Sequence, residues 1–179
     1  EGLRYRCEVH VTCEPWVTSN YGVLHVQGFV PTIVTTAGSL NTCSETEFGI
    51  PISVTNCNNV GAISLSLEYN TNILTYAGYE GLNPALNGGQ LQVNAANGSV
   101  FIAWASIDGA NVGNGNLITI KFTALSGTCS LSWNTAYCEY ANPQGVAYPA
   151  NYNNGNVSVG DLSFTITQQP SNQTVTMEE

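Results

Sequence analysis

The sequence predicts an all-β fold: a two-sheet sandwich over residues 33–160, flanked by strand-like extensions. Three observations predict it. Apolar residues recur at every second position in run after run, the period of a half-buried strand. Clusters of Asn, Gly and Pro break these runs every 8–15 residues, as turns in a sandwich do. Nowhere is an apolar i, i+3, i+4, i+7 pattern kept up for three turns, so no long helix is expected.

The elements follow in chain order. Tyr5, Cys7, Val9, Val11 and Cys13 form one stripe, with Arg4, Arg6, Glu8, His10 and Thr12 opposite. Phe48, Ile50, Ile52 and Val54 alternate with small or polar residues, and Asn56-Cys57-Asn58-Asn59 closes that run. Ile63, Leu65, Leu67 and Tyr69 alternate with Ser64, Ser66 and Glu68. Turn formers at Asn87-Gly88-Gly89 and Ala96-Asn97-Gly98 bracket the next segment. Val100, Ile102 and Trp104 then alternate with Phe101 and Ala103. After Asn114-Gly115-Asn116 comes Ile118-Ile120-Phe122, and Leu131-Trp133 follows. Trp104 and Trp133 share parity with apolar neighbours and are expected in the core, whereas Trp16 has no such neighbours. Tyr137, Tyr140, Tyr148 and Tyr152 are expected to pack under the last loops. Leu162, Phe164 and Ile166 restart the alternation near the end. Three zones result: an N-terminal extension (1–32), the sandwich (33–160) and a C-terminal extension (161–179).

Composition excludes several functions. The 179 residues carry a net charge of −9, with three basic residues, Arg4, Arg6 and Lys121. So few cations cannot neutralise a nucleic-acid backbone or anchor to an anionic membrane. No run approaches the ~20 apolar residues of a membrane-spanning helix. A hydrophobic share of 43% also excludes charge-driven disorder. The polar remainder is mostly uncharged, including 21 Asn and 18 Gly. Six widely spaced cysteines, none in a C-x-x-C pair, read as disulfides and hence as an extracellular or cell-surface setting. The chain begins at Glu1, as a mature product or a unit cut from something longer would. Asn97, Asn156 and Asn172 head N-x-S/T sequons and are candidate glycosylation sites.

The stretch from Ile50-Pro51-Ile52-Ser53-Val54-Thr55-Asn56-Cys57 to Leu65-Ser66-Leu67-Glu68-Tyr69-Asn70, followed by Ile73-Leu74-Thr75-Tyr76, resembles cohesin domains. It is most similar to the cohesin-like modules of large secreted Bacteroidetes proteins. Asn97–Trp104, Leu117–Thr123 and Tyr152–Val159 agree in order and spacing, so the resemblance covers about residues 33–160. It implies a nine-stranded jelly-roll β-sandwich without enzymatic activity. It also implies a sheet face that grips dockerin modules in cellulosomes. Ser64, Ser66, Glu68, Gln92, Asn94, Phe101 and Ala103 would lie on that face. Gln169–Thr176 resembles the opening of an immunoglobulin-like repeat, which suggests a unit of a modular surface protein or fibre.

The implied topology also orders the cysteines. Cys43 precedes the second strand and Cys129 follows the seventh, its antiparallel neighbour, so both fall at one end. Cys57 ends the second strand, and Cys138 follows the eighth, which pairs with the third, so these two fall at the other end. The resemblance therefore implies Cys43–Cys129 and Cys57–Cys138, each closing a loop worth about 4–5 kcal/mol in the chain-entropy model. Pairing Cys43–Cys57 with Cys129–Cys138 is the alternative. On one straight strand Cys7 and Cys13 stand ~20 Å apart, so they pair only if the chain turns back, or else bond another chain.

The remaining candidates divide between chemistry and plain structure. Asp108-Gly-Ala-Asn111-Val-Gly-Asn114-Gly-Asn116 is rich in oxygen donors, but calcium takes roughly six to eight oxygens with several carboxylates. With one carboxylate in the loop, a strand-connecting turn is the preferred reading and no cofactor is expected. A nucleophile–base pair is hard to build, because His10 and His25 both lie outside the sandwich. Unpaired amphipathic strands adhere to partner edges. Tyr5, Cys7, Val9 and Val11, with Leu162, Phe164 and Ile166, are therefore candidates for strand addition to neighbouring modules or identical subunits. The expected function is a non-catalytic structural or adhesive module of a surface protein or filament. A glycan-binding module using Trp16 is the alternative, and a dockerin-binding cohesin is the second alternative.

Overall fold

The computed structural model describes residues 3–9, 12, 16–24, 30–44 and 46–160. The chain forms two compact units, Glu1–Pro31 and Thr32–Glu179. In the first, β1 (Leu3–Tyr5), β2 (Glu8–Val9), β3 (Val17–Thr18) and β4 (Gly22–Leu24) make two small antiparallel pairs, β1 with β4 and β2 with β3. Tyr5 and Val9 are thus paired within the unit and remain exposed, as do Trp16, Val17 and Tyr21. Arg6 stacks over the Tyr21 ring at 5.3 Å and also pairs with Glu8. Val11, Cys13, Leu162, Phe164, Ile166 and Asn172 lie outside the described residues.

The second unit is the sandwich. Its segments are β5 (Ile33–Ala37), β6 (Leu40–Cys43), β7 (Glu47–Cys57), β8 (Val60–Glu68), β9 (Leu74–Glu80), β10 (Gln90–Ala96), β11 (Ser99–Ala110), β12 (Gly113–Ala124), β13 (Gly127–Trp133), β14 (Glu139–Ala141), β15 (Ala150–Asn153) and β16 (Gly155–Gly160). One sheet runs β15-β5-β7-β12-β9. The other runs β10-β11-β8-β13-β16-β6, with β14 also on β8. Three pairs of segments are single runs broken midway. β5–β6 and β15–β16 switch from one sheet to the other, and β13–β14 is interrupted by the 3-10 turn Thr135–Tyr137. Nine runs therefore cross the sandwich, as expected. The first and last run side by side and parallel, Ala150↔Ile33 through Gly160↔Cys43.

The alternation in the sequence becomes the core. Ile33, Ile50, Ile52, Ile118, Ile120 and Phe122 of one sheet face Leu65, Leu67, Val100, Ile102 and Leu131 of the other, all fully or nearly fully buried. Trp104 and Trp133 are buried with their indole N–H groups satisfied, donating to the Leu86 and Asn153 carbonyls at 2.8 and 2.9 Å. Among the four late tyrosines, Tyr140 is fully buried and bonded to Thr35 Oγ1 at 2.7 Å, but Tyr137 is exposed, against expectation. It stands on the 3-10 turn, which pushes it outward from the sheet.

The implied disulfides are a correction. Cys7, Cys43, Cys57, Cys129 and Cys138 are all free thiols. Cys43 and Cys129 do share one end of the sandwich, but β16 lies between their strands. Cys43 is level with Gly160 and Cys129 with Val157. Two strand spacings and three residues separate them, about 14 Å, against the about 5–7 Å a bridge spans. Cys138 lies within the eighth run rather than after it. Its sulfur accepts the Ser66 N–H at 3.4 Å, near the far end of β8, while Cys57 ends β7 beside the start of β8. The alternative fails as well, since Cys43 and Cys57 flank opposite ends of the 11-residue β7.

Candidate functional site

The outer face of β10, β11 and β8 is built by register. Gln92, Ala103 and Ser64 form one cross-strand row, Asn94, Phe101 and Ser66 the next, and Gln90, Ala105 and Ala62 a third. The alternating partners of these residues are the core, so the face is supported from beneath. Its side chains are amides, hydroxyls and methyls, of which the alanines lose no rotamer freedom on contact. Phe101 rises from the middle, 41% exposed.

One flank is raised. Between β13 and β14 the chain leaves β8 and arches over it as residues 134–138. Asn134 N–H donates to the Ser66 carbonyl at 3.0 Å, and Ser64 Oγ donates to the Tyr137 carbonyl at 3.2 Å. Asn134 Nδ2 reaches the Glu68 carboxylate at 2.8 Å. Tyr137 stands on this arch, 63% exposed. Of the seven residues expected on the face, Ser64, Glu68, Gln92, Asn94, Phe101 and Ala103 are exposed and Ser66 is not. The arch buries Ser66 and leaves its Oγ without a partner among the described residues. Tyr137 is the face residue that alternation missed, because it belongs to a turn rather than to a strand.

At the end of the arch, burial raises the Cys138 pKa above the ordinary 9.0, opposed by the Ser66 N–H bond. The neighbouring Tyr152 phenol is pushed up to about 12, first by burial.

The oxygen-rich loop has a structural use. Asn111 and Asn114 turn their amide oxygens to the Asn59 and Asn56 N–H groups, at 2.7 and 2.9 Å. Those two residues hold left-handed turn conformations at φ 50° and 59°. The loop thus pins the β7–β8 turn. Among the described residues, no group of three His, Cys, Asp or Glu is placed to hold a metal ion. The sequon residues Asn97 and Asn156 are both exposed, Asn97 at the β10–β11 hairpin turn.

The family model for the Cohesin domain matches residues 33–159. A non-cellulosomal cohesin from the archaeon Archaeoglobus fulgidus superposes with a TM-score of 0.64 at 20% identity, covering 73% of this chain and 92% of its own. A cohesin from a type I cohesin–dockerin complex of Clostridium thermocellum gives 0.64 at 11% identity, covering 77% of this chain and 100% of its own. The third cohesin of the Acetivibrio cellulolyticus protein ScaC, solved with the ScaB dockerin, gives 0.63 at 18% identity, covering 72% and 99%. No curated protein matches the sequence.

Proposed function

The chain belongs to the cohesin domain family, and on that premise we propose that it is a dockerin-binding module whose docking face is the outer surface of β10, β11 and β8. Cohesin domains are non-catalytic protein–protein interaction modules. The observation that carries the reading is the face itself: a strip of small and amide side chains with Phe101 at its centre and Tyr137 on its raised flank. Rigid aromatic anchors within a polar field are what hot spots of protein interfaces consist of. Related cohesins have been solved with dockerins from Clostridium thermocellum and Acetivibrio cellulolyticus. Cohesin modules typically sit in extracellular or cell-surface scaffoldins, which is the setting proposed here.

The test is titration of the chain with dockerin modules, wild type against Phe101→Asp. Phe101 is on the outer face and 41% exposed, so the variant keeps the fold, and its thermal midpoint is measured alongside to separate lost affinity from lost stability. Dockerin affinity should fall at least tenfold. Dockerin binding that survives the substitution overturns the assignment of the face.

A second reading, assembly into a surface fibre through the extensions, is favoured by the exposed Tyr5, Val9, Trp16 and Val17 of the N-terminal unit. It requires self-association that is lost when residues 1–31 are removed. Glycan binding at Trp16 is the further alternative, and it requires a sugar-dependent signal abolished by Trp16→Ala.

A further inference from the structure

The docking face does not end at the row Gln90, Ala105, Ala62. There β11 leaves its register: Ala105 pairs with Ala62, but the next pair is Ala110 with Val60. The step takes five residues on β11 against two on β8, so three extra residues bulge outward, with Gly109 in a left-handed conformation at φ 72°. Ile107 stands on this bulge, 90% exposed. Between the bulge, Gly88-Gly89 and Pro143 lies a mainly apolar hollow of about 600 Å³. Ala62, Gln90 and Ala105 line it too, so the hollow is continuous with the face.

Charge identifies the occupant. Asp108 lines the hollow, and among the described residues no cation pairs with it. The one Lys or Arg of residues 32–179 is Lys121, which is paired with Glu47 on the opposite sheet. We propose that the hollow is an anchor subsite that takes one large apolar side chain of the partner, with an adjacent Lys or Arg of the partner meeting Asp108. The proposal rests on the docking-face reading and adds to it a specificity: the partner must carry an apolar residue next to a cation.

Gly88 allows a clean test. It is exposed and not in the positive-φ region, and a Cβ built on it meets no atom within 4 Å. Gly88→Leu therefore places a bulky side chain in the wall of the hollow without straining the backbone. The probe is a displayed library of dockerin modules with randomised surface positions, selected on the full chain. Selected binders should be enriched for an apolar residue beside Lys or Arg. Their affinity should fall about tenfold or more on Gly88→Leu, the scale of one buried apolar side chain. On Asp108→Asn it should fall severalfold at low salt and less at high salt. Binders that lose affinity on Phe101→Asp yet are unchanged by Gly88→Leu would overturn the subsite and leave the face standing. Binders indifferent to both substitutions, or no binders at all, would overturn the face together with the subsite.

Discussion

Cys57 ends β7 with no exposed surface, and burial pushes its thiol from 9.0 up to about 12. The folded state therefore holds this proton through a range where the unfolded chain releases it. A raised pKa of this kind contributes stability that is complete below pH 9 and is lost between about pH 9 and 12. Tyr152, raised from 10.0 to about 12, acts in the same direction over the upper part of that window. Denaturant unfolding should thus give a plateau through neutral pH and a decline above pH 9. Cys57→Ala should be less stable at pH 7 by about 1–2 kcal/mol, from lost packing. That deficit should narrow as pH rises from 9 to 12, because the variant has no thiol to titrate. A deficit constant across the window contradicts the buried neutral thiol. At this scale the sequence is legible by parity and fails where parity stops. Ser64 and Glu68 face outward as alternation predicts, but Ser66 is covered by a segment that returns from some 70 residues away. No local pattern announces that segment.

At the scale of elements, the two runs that switch sheets define the closure of the sandwich. They cross where Gly38-Ser39 interrupts β5–β6 and Asn154 interrupts β15–β16. A Cβ on Gly155 would stand 2.2 Å from the Gly38 carbonyl oxygen and 2.8 Å from that of Ala37. Both obstacles are backbone, so neither can rotate away. Ser39 Oγ accepts the Asn156 N–H at 3.0 Å, and Asn153 Nδ2 reaches Thr36 Oγ1 at 3.1 Å, tying the crossing on either side. Gly155→Ala should separate the two runs and cost about 3 kcal/mol or more, at the upper end of single substitutions. Chemical denaturation measures it, and a loss below about 1 kcal/mol would mean that the crossing adapts. The Asn153-Asn154-Gly155 turn was legible in the sequence, but the sheet switch it serves was not, since the parallel pairing joins residues more than a hundred positions apart. The bulge at Ser106–Gly109 was hidden for another reason. Apolar alternation simply ends at Trp104, and the exposed Ile107 mimics a core residue.

At the scale of the whole molecule, stability and charge are both unevenly divided. Among the described residues, every buried core residue lies between Ile33 and Val159. None of the residues of Glu1–Pro31 whose burial is described is buried. A segment that small, with no buried residue among those described, has little to offset its chain entropy. Yet it carries Arg4 and Arg6 against three acidic residues, while residues 32–179 carry Lys121 against nine. The lopsided composition read from the sequence thus belongs to the sandwich. The sandwich can be made strongly acidic because its stability comes from apolar burial and from amide-pinned turns rather than from ion pairs. Residues 32–179 expressed alone should then unfold cooperatively with a thermal midpoint within about 2 °C of the intact chain, since 1 kcal/mol moves a chain of this size by roughly 2–4 °C. Residues 1–31 alone should show no cooperative transition. Calorimetry on the three chains tests this, with size exclusion of the intact and truncated forms alongside. A midpoint lowered by more than about 4 °C would mean that the N-terminal unit contributes to the stability of the sandwich. Loss of an oligomer on truncation would instead favour assembly through the extension.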